Sequence, residues 1–149
     1  MSIARRILGR LPVAACLATS GFIHAQLYVR GYNAIPYIGT SFRWDAAASF
    51  AVAALLLVGS PPLLRLAAAG LCLSGLGGFT VSRTIGLFGF TERGWQPAPQ
   101  AFLSVLAWVT ALVLLLIPVV SGWLRRGGRG RCTSRQEPDL DRQGWSTTP

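Results

Sequence analysis

Four uncharged apolar stretches divide the chain, over residues 11–29, 46–64, 66–82 and 94–124, each bounded by charged side chains. A helix needs about 20 mostly apolar residues to cross a hydrocarbon core about 30 Å thick. The pattern predicts an all-α protein: a four-transmembrane-helix bundle with spans over about 7–29, 45–58, 63–84 and 99–123. Gly59-Ser60-Pro61-Pro62 is the turn that splits the long middle run in two, since proline cannot continue a helix and glycine weakens one. Residues 30–45 read as a loop because Gly31, Pro36 and Gly39 interrupt them, with Tyr32, Tyr37, Phe42 and Trp44 interleaved. Residues 85–98 read as a second loop of the same kind, and Pro99 suits the first turn of the last helix.

Composition strengthens this reading. Of 149 residues, 52% are hydrophobic and 13% charged, against about 25% charged in a soluble domain. Residues 125–149 hold six of the 14 arginines and three of the five acids, so the first 124 residues are poorer still in charge. Residues 1–124 therefore form one membrane domain. Residues 125–149 form a basic cytoplasmic tail, expected to be disordered because it has too little apolar surface to fold alone.

The net charge of +9 raises nucleic acid as a partner, but the distribution argues against it. Every basic residue is Arg, and all lie between or beyond the spans, where they set topology. Eight arginines flank the span ends on one side (5, 6, 10, 65, 125, 126, 129 and 131), and four on the other (30, 43, 83 and 93). The richer side is cytoplasmic. Both termini are thus expected inside, in a multi-pass protein of the inner (plasma) membrane, with the aromatic loops outside and Trp44, Trp95 and Trp123 at the interfaces. The Arg125–Arg131 cluster reads as a stop-transfer signal at the anionic inner leaflet. The basic start followed by a 19-residue uncharged run reads as an uncleaved first span, because a signal peptide's apolar core is about 7–15 residues. Val13-Ala14-Ala15-Cys16 resembles a lipoprotein box but has no apolar core ahead of it.

Two spans carry four-residue ridges. Gly70, Ser74, Gly78 and Ser82 align on the third span, and Cys16, Ser20, His24 and Tyr28 on the first. Small residues let helix backbones approach closely in lipid. The expectation is that these two ridges pack on each other, or that one of them meets a second copy or another membrane protein.

His24 is the one histidine and lies inside a span, where an ionisable group is expensive and points to function. With Tyr28, Asp45, Arg83 and Glu92 it forms a candidate pocket open to the outside, suited to a proton relay or a small polar ligand. The plainer alternative is a neutral histidine hydrogen-bonded to Tyr28 or a backbone carbonyl. One histidine cannot supply both axial ligands of a haem, and Cys16, Cys72 and Cys132 show no C-x-x-C spacing. No metal or cofactor is expected. No catalytic residues emerge either, since nucleophile elbows, phosphate loops and dinucleotide fingerprints are missing from the sequence.

His24-Ala25-Gln26-Leu27-Tyr28, the Gly39–Phe42 loop end, the run from Ser82 to Gly89 and Glu92…Trp95-x-Pro97 together resemble uncharacterised four-span membrane proteins of high-GC bacteria. More distantly, the size and layout are similar to the DoxX-like four-helix group. The resemblance covers roughly residues 10–120 and implies a fold. Such proteins carry an acidic residue inside the last span, which residues 99–120 lack, so the resemblance implies no activity. The expectation is a structural, accessory or sensory membrane component without a catalytic site. The alternatives are a subunit of a small transporter or channel lined by His24, Tyr28 and Arg83, and, more remotely, a membrane oxidoreductase partner.

Overall fold

A computed structural model describes residues 9–87, 91, 94 and 97–129, with side chains as far as 124. Ile7 and Leu8 at the expected start of the first helix, Glu92, Trp95 and residues 130–149 lie outside the described residues. The described residues form four α-helices and one short 3-10 turn, with no strand. The helices are α1 (Leu11–Val29), α2 (Ile38–Val58), α3 (Pro62–Thr84) and α4 (Gln100–Arg129), with the 3-10 turn Tyr32–Ala34 between α1 and α2.

Prolines open α1 and α3 in their first turns, where a missing N–H is harmless. Gly86, at φ 83°, follows α3, and its N–H bonds Val81 O at 2.9 Å. This is the left-handed position that favours glycine. Three boundaries differ from the sequence expectation. The first helix begins at Leu11, after a turn at Gly9 and Arg10, rather than near residue 7. The last helix runs past Leu124 to Arg129, taking the first residues assigned to the tail. The second helix begins at Ile38 rather than near residue 45. Gly39 does not break it. A Cβ at Gly39 would stand 2.7 Å from Tyr32 O and 2.8 Å from Asn33 Cα, so the bare backbone lets the 3-10 turn fold against the first turn of α2.

Two compact units divide the chain after Leu116. Within residues 1–116, α1 and α2 lie antiparallel in the most extensive pairing, α2 also meets α3, and the core draws on all four helices. Arg10, just before α1, donates to Val58 O at the end of α2 at 3.4 Å, placing a cation at a helix C-terminus. Small side chains make up much of the core: Ala14, Ala46, Ala53, Ala68, Ala101, Ala107 and Ala111 are buried with Ser20, Ser49 and Cys72, beside Val13, Leu17, Ile23, Leu27, Ile38, Leu56 and Trp108. Large apolar side chains such as Phe22, Leu55, Leu66, Leu73, Phe102 and Leu106 face outward. A water-soluble bundle would bury these large groups. In lipid the arrangement is favourable, because close backbone approach rather than water exclusion holds helices together. Three helices are long and apolar enough to cross a membrane: Ile38–Val58, Pro62–Thr84 and Gln100–Leu124. These features fit a membrane protein.

The expected docking of the α1 and α3 ridges is not what the helices do. α1 makes its close approach to α2 at Gly21, where a Cβ would meet Ala46 O at 3.2 Å, Ser49 Cβ at 3.2 Å and the Phe50 ring at 3.3 Å. Along α3, a Cβ at Gly70 or Gly78 would meet nothing within 4 Å. The close approach on α3 is one residue off the ridge, at Gly75, where a Cβ would overlap Cε2 and Cζ2 of Trp108. On α3 the glycine that makes a close contact is Gly75, against the indole ring of Trp108.

Candidate functional site

A cavity of about 490 Å³ lies among the helices at the end where α1 joins α2 and α3 joins α4. α1 contributes His24 and Leu27. α2 contributes Ile38, Ser41, Phe42, Trp44, Asp45 and Ala48. α3 contributes residues from Leu71 to Arg83, and α4 contributes Ala101, Ser104 and Trp108. The volume falls within the range of about 300–1,000 Å³ usual for small-molecule pockets, and mostly apolar walls with a few polar groups are their usual character.

His24 is held by its own helix. Its Nδ1 donates to Ser20 O, one turn earlier, at 2.9 Å, and Asp45 Oδ2 lies 3.3 Å from the same nitrogen. Both neighbours are acceptors, so Nδ1 carries a proton and, in the neutral ring, Nε2 is the acceptor nitrogen. Phe42 packs edge-on against the imidazole with ring centroids 5.0 Å apart, and the Trp108 ring lies 5.6 Å away on another side. Trp108 Nε1 donates to Ser20 Oγ at 2.9 Å. Ser20 and Trp108 are buried with His24. One polar chain thus runs from α4 through α1 to α2.

Asp45 Oδ2 is buried and has no hydrogen-bond partner among the described residues. The His24 N–H that lies beside it is directed to Ser20 O instead. Asp45 Oδ2 therefore lies beside the imidazole without being an aligned acceptor of its N–H. Arg83 enters the cavity from the end of α3, with its guanidinium carbon 4.6 Å from the centroid of the Phe79 ring. This is within reach of a cation–π contact.

Of the five residues that the sequence singled out, the structure brings His24, Asp45 and Arg83 to one cavity. Tyr28 is half-buried and is not among the lining residues, and Glu92 lies outside the described residues. Of the packing ridge, Ser74, Gly78 and Ser82 border the cavity, whereas Gly70 does not. Sequence reasoning missed Trp108, Ser104 and Phe42. A signal for the first two was present: Ala101, Ser104, Ala107, Trp108 and Ala111 recur at helical spacing, and all are buried. In a helix otherwise made of Leu and Val, these small residues mark the inner face. Among the described residues, no group of three His, Cys, Asp or Glu side chains comes together to hold a metal. Comparison with family models, curated proteins and solved structures finds no match.

Proposed function

We propose that this is a four-span integral membrane protein that binds a small, mainly apolar molecule in the cavity at the loop end of its bundle. It serves as a sensory or accessory component of the membrane. The observation that carries the reading is the cavity itself: about 490 Å³, apolar over most of its wall, with His24, Asp45 and Arg83 as its ionisable groups among the described residues. A bundle built only for packing would close such a space, since each void forfeits dispersion contacts. Both termini lie in the cytoplasm and the cavity opens outward, consistent with the arginine distribution.

The test uses the full-length protein in lipid nanodiscs and 2-phenylethanol as probe. Trp44 and Trp108 line the cavity, so occupancy alters their fluorescence. Saturable quenching in the natural protein, lost in Gly78→Leu, is the expected result. That substitution adds bulk at a lining residue whose Cβ would meet nothing within 4 Å. Quenching that rises without saturation, equally in both proteins and with 2-phenylethylammonium and phenylacetate as well, reports partitioning into lipid and overturns the proposal.

A further inference from the structure

Asp45 is the acid of the cavity among the described residues. Its Oδ2 is buried without a hydrogen-bond partner, and the nearby imidazole N–H is given to a backbone carbonyl. An ionised oxygen taken out of water without a donor is destabilised until a donor arrives. The walls around it are unusually aromatic, with Phe42, Trp44, Phe79 and Trp108 on the same cavity. The faces of such rings attract cations. The cavity's own cation, Arg83, is already engaged over Phe79.

We infer that the ligand is a small lipophilic amine, bound as its ammonium, with an N–H donated to Asp45 Oδ2 and its apolar body against the aromatic wall. The inference rests on the binding function proposed above and narrows its ligand class. A neutral donor would satisfy the oxygen but bring no charge to an ionised carboxylate. An anion would meet Asp45 as a like charge. An ammonium supplies donor and charge together, and charge-assisted hydrogen bonds are roughly twice as strong as neutral ones.

Three probes with one shared body separate these cases: 2-phenylethylammonium, 2-phenylethanol and phenylacetate, titrated at pH 7 into the full-length protein with tryptophan fluorescence and calorimetry as readouts. The ammonium should half-saturate at a concentration about tenfold below the alcohol. Asp45→Asn should erase that advantage while the alcohol still binds, and Asp45→Glu should retain it. If Asp45→Asn fails to fold, the ranking of the three probes on the natural protein decides alone. Alcohol or phenylacetate binding as tightly as the ammonium overturns the amine inference and leaves the binding function standing. Saturable binding of none of the three overturns both.

Discussion

Trp108 ties three helices together through one side chain. Its ring lies on the bare backbone of Gly75 in α3, its N–H bonds Ser20 Oγ in α1, and its other contacts include the His24 ring. The arrangement needs no side chain at 75, and it gives a buried hydroxyl and a buried indole N–H each a partner. Gly75→Ala places a methyl group inside the ring position. Either the indole moves and the Ser20 bond breaks, or α3 shifts away from α4. Overpacking of this kind costs about 1–3 kcal/mol, and the unfolding midpoint in mild detergent should fall accordingly. Gly78→Ala, three residues along the same helix, meets nothing and should leave the midpoint unchanged. Equal behaviour of the two variants would show that Trp108 does not rest on α3. The same site explains why His24 belongs to a built environment: its N–H partner is fixed by the helix, and the ring is clamped by Phe42 and Trp108.

At the scale of the element, the pairing of α1 with α2 depends on Gly21. A side chain there would press on Ala46 O, Ser49 and Phe50 at once, and a backbone carbonyl cannot swing aside as a flexible side chain can. Gly21→Leu should therefore abolish the folded bundle, read as loss of the monodisperse peak in size-exclusion chromatography. Gly70→Leu on α3, which meets nothing within 4 Å, should elute as the natural protein does. The reverse result would restore the ridge-on-ridge packing that the sequence suggested. The glycine contacts seen lie off both ridges, at Gly21 and Gly75. Periodicity reports which residues share a face, because it follows from 3.6 residues per turn, but it carries no information about what the face meets. The four helices were legible, since hydropathy points to them directly. The start of α2 was not, because Gly39 has the composition of a turn and the geometry of a close contact. Trp108 was not singled out, although Ala101, Ser104, Ala107 and Ala111 at helical spacing around it mark the inner face.

For the whole molecule, the question is whether α1 crosses the bilayer with the other three helices. It stands outside the set that is apolar enough by composition, but its composition is uneven around the axis. Ser20 and His24 face the interior, where α2 and α4 engage them, while Leu11, Phe22 and Val29 point outward. A mean over the helix adds the sheltered polar face to the exposed apolar one and so understates what lipid would meet. Polar side chains are tolerated in a span when they face the bundle and find partners there, which Ser20 and His24 do. α1 also lies antiparallel to α2, with Arg10 against the end of that helix. If α1 crosses with the other three, four crossings return the chain to its starting side. Reporter fusions at the N- and C-termini should both register the cytoplasm, and a cysteine placed at Asn33, in the turn between α1 and α2, should react with an impermeant maleimide from outside. Termini found on opposite sides would mean that α1 lies along the surface. His24 would then leave the bundle interior, and the cavity would lose the wall that Asp45 faces.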